Sequence, residues 1–354
     1  MKTNTVNPKN ESLRYILFWT KFFETENWGM GKKVLGEEFL KSLQCSVTNC
    51  IFSHDRGLLS SPADYDALIF HVGEPFDIYD LPATRSENQI YAMLNQERPI
   101  YTWHNFEHDK GFFNMTVTYR QDSDVYFGYS KMVEISSNLI VSPSKQHVWR
   151  EPETVNDPQI LNLIASKSKM AAWFVSRCGA FSNRDNLVKQ LQQYIDVDVY
   201  GKCGLLKCPR DNQNQCLEML NTTYKFYLAL ENSICVDYIT EKTFLNMQNF
   251  IIPIVYNGVT DMHDFLPPHS FININDYKSI EELANYLKFL DENPQEYANY
   301  FWWKKYYKIY GSSGYCDLCM KLKEWDLMQK KQQHLDIAHW WNHKTCRDTS
   351  KDFL

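Results

Sequence analysis

Glycine-rich phosphate loops are missing from this sequence. Its 354 residues hold no Gly-x-Gly-x-x-Gly fingerprint and no Walker sequence, so a nucleotide would have to be held by helix termini, arginine and lysine. No run approaches the roughly 18 to 20 apolar residues of a bilayer-spanning helix, and Met1 to Ser12 is polar without a signal-peptide pattern. The chain as given is therefore expected to be soluble, meeting a membrane only through an anchor it does not itself contain. Net charge is −6, which gives no electrostatic reason to expect nucleic acid. Internal repeats and low-complexity segments are absent too.

What is present is a large apolar complement: 44% of residues are aliphatic or aromatic, with 22 Tyr, 21 Phe and 10 Trp. That is ample for sizeable cores, and 354 residues favour two domains over one. The ten cysteines are many for a cytosolic enzyme, and their irregular spacing does not suit zinc, so no metal site is expected. Three sequons, at Asn10, Asn114 and Asn221, join the cysteines in favouring an oxidising, secretory compartment.

Strand-like runs alternate with helical ones. Arg14–Thr20, Cys45–Phe52, Tyr65–Val72 and Arg98–His104 read as strands, and Thr84–Glu97 as a helix. The polar stretch Ser144–Gln159, with two prolines, is the expected domain boundary. Beyond it Met170–Ser176, Ile195–Gly201, Phe226–Leu230, Ile251–Gly258 and Ser270–Asn275 read as strands. Arg184–Tyr194 and Ser279–Leu290 read as helices. The expected class is α/β, two Rossmann-like domains with a cleft between them: an N-terminal domain over 13–150, a C-terminal domain over 160–322 and a tail over 323–354.

The densest chemistry follows the strand at Phe226–Leu230. Thr240 is a plausible N-cap for the helix after it, and Lys242 in the first turn sits where cations are otherwise disfavoured, which makes sense if an anion binds there. Glu241 suits sugar hydroxyls, Tyr238 a base or pyrophosphate, and Arg184 opens a helix that can reach the same place.

The stretch FYLALENSICVDYITEKTFLNMQNFIIPIVYNG, Phe226 to Gly258, resembles the signature of the α1,3-fucosyltransferases, glycosyltransferase family ten. TWHNFE, TYRQDSDV, VYGKCG and the closing Cys316-x-x-Cys319 are similar to further family motifs, so the resemblance runs from about Arg14 to Leu322. It implies an inverting GT-B enzyme with the acceptor domain first and the GDP-fucose domain second. Glu107 matches the general base, Arg184 and Lys242 the pyrophosphate ligands, and Glu241 the acid on the ribose. Tyr238, Asn232, Tyr227, Ser176 and Thr240 match other donor-pocket positions. Two departures stand out: Val175-Ser176-Arg177 where the family often has Val-Ser-Asn, and one extra residue before Gly258.

The tail Ala338–Asp348 and the Cys45–Cys50 and Cys203–Arg210 stretches look more like the enzymes that fucosylate the innermost GlcNAc of glycoprotein N-glycans. The rivals are an antennal, Lewis-type transferase and an inactive glycan-binding homologue. Trp103, which could stack on a sugar face, and His71 are acceptor candidates, the favoured reading of His71 being a satisfied strand-end residue rather than a contact. By proximity, Cys45 is expected to pair with Cys50 and Cys316 with Cys319; Cys203 is matched with Cys208 against competition from Cys216, Cys178 and Cys235, because sequence alone does not fix connectivity. No cofactor is expected beyond GDP-fucose as substrate, with a divalent cation at most stimulatory. The chemistry implies the Golgi lumen, as the lumenal domain of a type II membrane protein.

Overall fold

The computed structural model describes residues 13–25, 28, 32–75, 77, 79–102, 111–208, 213–311, 314–328, 336–349 and 351–353. The chain divides into two compact units, the first Met1–Phe127 with Ser313–His343, the second Gly128–Ser312 with Lys344–Leu354. The division thus falls earlier than the proline-bearing stretch suggests. The reason is that the chain pairs into the second unit well before that stretch begins.

The first unit contains β1 (Arg14–Phe18), β2 (Val34–Leu35), α1 (Glu37–Ser42), β3 (Cys50–Ser53), β4 (Ala67–His71), β5 (Ile90–Asn95), β6 (Met115–Thr118) and β7 (Val125–Tyr126). The sheet runs β2-β3-β1-β4-β5-β6-β7, parallel except for β2. The helix expected over Thr84–Glu97 is instead, over Ile90–Asn95, the interior strand β5. Its residues are all buried, Ile90, Ala92 and Leu94 on one face and Tyr91 and Met93 on the other. A strand covered on both faces shows no alternation, so its continuous apolar run is easily taken for a helix. The strand expected at Arg98–His104 is, over Pro99–Tyr101, a 3-10 turn.

The second unit opens with β8 (Ser130–Glu134), β9 (Ile140–Ser142), α2 (Pro158–Ala165), β10 (Lys169–Phe174), α3 (Arg184–Leu191), β11 (Val197–Tyr200) and α4 (Gln213–Thr223). It continues with β12 (Tyr224–Leu228), α5 (Glu241–Met247), β13 (Ile252–Val255), β14 (Ile272–Asn273), α6 (Ile280–Glu292), α7 (Pro294–Asn299) and β15 (Tyr307–Gly311). Its main sheet is fully parallel, in the order β11-β10-β12-β13-β14. Ala171, Phe226 and Ile252 lie in register across it and share one core with Leu283 and Leu287 of α6. β8 and β9 form an antiparallel sheet with β15, which is why the chain joins this unit from residue 128 on.

In chain order, the second sheet is the doubly wound pattern in which the third strand returns to the other side of the first. The turn in direction therefore lies between β10 and β12. In open α/β sheets ligands bind beyond the carboxyl ends of the strands at that point. The parallel part of the first sheet turns likewise between β1 and β4.

All ten cysteines are paired, but not as expected from proximity. Cys316 and Cys319 lie on α8 (Gly314–Met328), and α9 (Ile337–Asn342) follows. Three apart on a helix, their side chains share one face and look outward to the same neighbour. They cross-link to Cys45 and Cys50, at Cα separations of 5.1 and 5.8 Å, and so fasten α8 to the first sheet. Cys203 pairs with Cys178, both just past the ends of neighbouring strands, leaving Cys208 to Cys216; the fifth bridge is Cys235–Cys346. Peptide mapping without reduction is expected to recover Cys45–Cys316 and Cys50–Cys319. Thermal melting of a Cys50→Ser/Cys319→Ser variant should show a loss of roughly 2–5 kcal/mol.

Candidate active site

The site in the second unit is built around a buried carboxylate. Beyond β12 the chain enters a loop at Glu231 that returns at Thr240, the N-cap of α5, whose hydroxyl accepts from the Lys242 amide. Glu231 Oε1 accepts both the Thr240 amide and the Thr240 hydroxyl, at 2.8 and 2.7 Å. Its other oxygen lies 3.0 Å from Lys242 Nζ. Lys242 also donates to Thr240 Oγ1 at 2.8 Å and lies 3.2 Å from Glu241 Oε1. Burial disfavours the ammonium, but Glu231 and Glu241 outweigh it and hold its pKa above the ordinary lysine range. Lys242 is therefore a fixed, fully charged cation.

Arg184, the first residue of α3, reaches the same place. Its guanidinium donates to the carbonyls of Leu230 at 2.6 Å and Arg177 at 3.1 Å, and lies over the Trp173 ring. Burial lowers its pKa, with Glu231 the first of the groups opposing that; an arginine stays charged regardless. Ser182 locks the loop before α3 to the loop after β12, its amide donating to Asn232 O at 3.1 Å and its hydroxyl to Glu231 O at 2.6 Å.

These residues border a cavity of about 350 Å³ at the β10–β12 switch point. Ser176, Arg184, Tyr227, Glu241 and Lys242, all expected from the sequence, line it together. Burial, chiefly, pushes the Tyr227 phenol up to about 12, so it stays protonated at neutral pH. Thr240 lies behind the wall as the cap. Tyr238 and Asn232 do not line the cavity: Tyr238 is buried with its ring edge-on to Tyr129, and Asn232 is half-buried. The apolar wall of Leu217, Leu220 and Leu245 and the Cys208–Cys216 bridge escaped sequence reasoning, because they become neighbours only through the fold.

Asn246 was also missed. It is one helical turn beyond Lys242, its amide donates to Lys242 O at 2.7 Å, and its buried Oδ1 has no partner among the described residues. The spacing of four from Lys242 was the available signal.

The acceptor and modification candidates fare differently. Glu107, Trp103 and Asn10 lie outside the described residues. His71 is not at a surface: it is fully buried at the end of β4 against Phe22, Phe23 and Trp28. A strand end packed under aromatic rings cannot meet a sugar, so His71 is a core residue. The Asn114 side chain is engaged at the Tyr91 amide and the Gln89 carbonyl, and Asn221 sits in the last turns of α4 with its Oδ1 on the Phe250 amide.

A sequence profile described as "Fucosyltransferase, N-terminal" matches residues 11–130, and one described as "Glycosyltransferase family 10 (fucosyltransferase) C-term" matches residues 164–340. The chain belongs to glycosyltransferase family 10. Alpha-(1,3)-fucosyltransferase C of Drosophila melanogaster is 40% identical over 344 residues, 96% of this chain and 80% of that protein. Glycoprotein 3-alpha-L-fucosyltransferase A of the same organism is 31% identical over 316 residues, 89% of this chain and 58% of that protein. A 4-galactosyl-N-acetylglucosaminide 3-alpha-L-fucosyltransferase of Homo sapiens is 31% identical over 340 residues, 93% of this chain and 83% of that one. A crystal structure of an α1,3-fucosyltransferase aligns with a TM-score of 0.49 at 16% identity, over 84% of this chain and 82% of that one. The family-10 chain is an α1,3-fucosyltransferase enzyme, of α/β class with two parallel-sheet units.

Burial lowers the His71 pKa to about 4, from an ordinary value of 6.5. The unfolded chain therefore takes up a proton near pH 6.5 that the folded chain resists until about 4, so stability is intact above 6.5 and lost as pH falls through that window. Denaturant titrations from pH 8 to 4 are expected to show this loss, on the order of 3 kcal/mol at most, and a shallower pH slope in His71→Gln.

Proposed function

We propose that this family-10 enzyme transfers L-fucose from GDP-β-L-fucose to the 3-hydroxyl of GlcNAc, with inversion, and that its acceptor is the innermost GlcNAc of glycoprotein N-glycans. The observation that carries the donor half is the cavity at the β10–β12 switch point, where the buried Arg184 and the half-buried Lys242 stand beside an acid, Glu241. Two fixed positive charges suit a diphosphate, and the carboxylate suits ribose hydroxyls. The apolar leucine wall suits a base. With cations of its own, the site requires no cofactor, and a divalent cation would at most stimulate turnover.

The reaction is one in-line displacement. The acceptor O3 attacks the anomeric carbon, the bond from that carbon to the β-phosphate oxygen breaks, and GDP leaves with the bonding pair. Glu107 takes the hydroxyl proton as general base. Lys242 and Arg184 stabilise the charge that grows on the departing diphosphate. Because they are immobilised before substrate arrives, little reorganisation is needed in the transition state.

The first unit is the candidate acceptor domain. It has a cavity of about 650 Å³ at its own switch point, between the ends of β1 and β4. Trp19, Glu74, Asp77 and Asp80 line it, and Arg56 stacks 3.8 Å over the Trp19 ring while donating to Asp80 at 2.6 and 2.7 Å. Carboxylates and an aromatic edge suit a hydroxyl-rich neutral saccharide. Trp103 remains an acceptor candidate on sequence grounds. The innermost-GlcNAc reading rests on the resemblance of the cysteine-bearing tail, and the rival is an antennal LacNAc acceptor. Five disulfides and a glycoprotein acceptor support a lumenal, Golgi location.

Release of GDP from GDP-fucose, measured with core-only and antennal glycans, tests the acceptor: turnover with the core glycan alone supports it, and turnover with antennal glycans alone replaces it by the rival. Glu107→Ala is expected to cut kcat by about 10²–10⁴-fold while GDP still binds. Lys242→Ala should weaken GDP binding by roughly tenfold or more. A Glu107→Ala enzyme with undiminished kcat would remove that residue from the mechanism.

A further inference from the structure

The last stretch of chain, residues 344–349 and 351–353, lies beyond the family-10 match, which ends at residue 340. It is nevertheless fastened to both loops that carry the donor-site cations. Cys346 is bridged to Cys235 and pairs with it as an antiparallel β-bridge. On either side, the Val236 amide donates to Thr345 O at 2.7 Å and the Arg347 amide to Ile234 O at 2.8 Å. This short ladder grips the loop between β12 and α5 just upstream of Thr240 and Lys242.

A second grip is on the loop before α3. The buried Thr349 hydroxyl donates to Phe181 O, and Asn183 Nδ2 donates to Asp352 O. Asn183 stands in the left-handed region with φ of 54° immediately before Arg184, a position that needs holding. The third grip is at the end of β13, where the Asp352 carboxylate accepts from Tyr256 OH and from Arg347 Nη2. Three loops at the carboxyl edge of one sheet are thus tied to one segment.

We infer that this C-terminal segment is a positioning strap for the donor site, fixing the Arg184 loop and the Lys242 loop relative to one another before the nucleotide-sugar binds. The inference rests on the reading of that cavity as the donor site. Among the described residues neither Arg184 nor Lys242 bonds to the strap; it acts through the backbone on either side of them. Loops ordered in advance do not have to be ordered by the ligand, so the strap contributes to donor affinity rather than to acceptor binding.

The test compares GDP affinity by calorimetry, KM for donor and acceptor, and melting temperature. In Cys235→Ser/Cys346→Ser, Asp352→Ala and Thr349→Val, GDP affinity is expected to fall and donor KM to rise by roughly tenfold, with acceptor KM within about twofold of wild type. Thr349→Ser, which keeps the hydroxyl, should restore both. A Cys45→Ser/Cys316→Ser control should melt lower yet keep GDP affinity within about twofold. The strap idea is overturned if the strap variants melt lower with donor KM and GDP affinity unchanged, or if donor and acceptor KM move together. Should the cysteine variant not fold, Thr349→Val and Asp352→Ala decide. Wild type that binds no GDP would instead sink the donor-site reading itself.

Discussion

A buried glutamate is the constraint on which the second unit's chemistry depends. Glu231 cannot be left charged and alone in that environment, and it is satisfied by the Thr240 amide, the Thr240 hydroxyl and the Lys242 ammonium. Each partner acquires its position in the process. Thr240 becomes the cap that starts α5, and Lys242 becomes a cation that cannot wander. Arg184 is placed by the neighbouring carbonyl of Leu230, on the same strand extension. The site is therefore assembled by the demands of one desolvated carboxylate, and its positive charge is organised before any anion arrives.

The parallel sheets decide where this happens. Beyond the carboxyl ends of β10 and β12 the chain turns to opposite sides, toward β11 and toward β13, and the helices that follow open the space a ligand needs. Disulfides then restrict what the loops beyond the strands can do. Cys178–Cys203 joins the ends of β10 and β11, Cys208–Cys216 lies in the cavity wall, and Cys235–Cys346 holds the loop between β12 and α5. In the first unit the two bridges to α8 serve packing, drawing a helix from late in the chain onto a sheet formed early in it.

Much of this was legible in the sequence where local chemistry and fold agree. The β12–α5 stretch announces its strand, its cap and its charged residues in order; Tyr227, Glu241 and Lys242 do meet in one cavity, while Thr240 stands behind its wall and Tyr238 and Asn232 do not line it. Legibility failed wherever the deciding neighbour is distant in sequence. β5 reads as a helix because its two buried faces leave no alternation. The disulfides were misassigned because proximity along the chain is not proximity in space: Cys45 and Cys316 are 271 residues apart. His71 reads as a satisfied strand-end residue before it reads as a sugar contact, and the rings of Phe22, Phe23 and Trp28 that decide for the former come from elsewhere in the chain. The strap is illegible for the same reason, since nothing local in residues 344–353 indicates which loops it will bind.

The central claim is that Lys242 and Arg184 form a preset cradle for the donor diphosphate. A crystal structure of the enzyme with GDP tests it most directly. The account predicts GDP at the β10–β12 switch point, with phosphate oxygens within hydrogen-bond reach of Lys242 Nζ and the Arg184 guanidinium, and Glu231 still holding Thr240. GDP bound elsewhere, or bound there with its phosphates away from both cations, would contradict it.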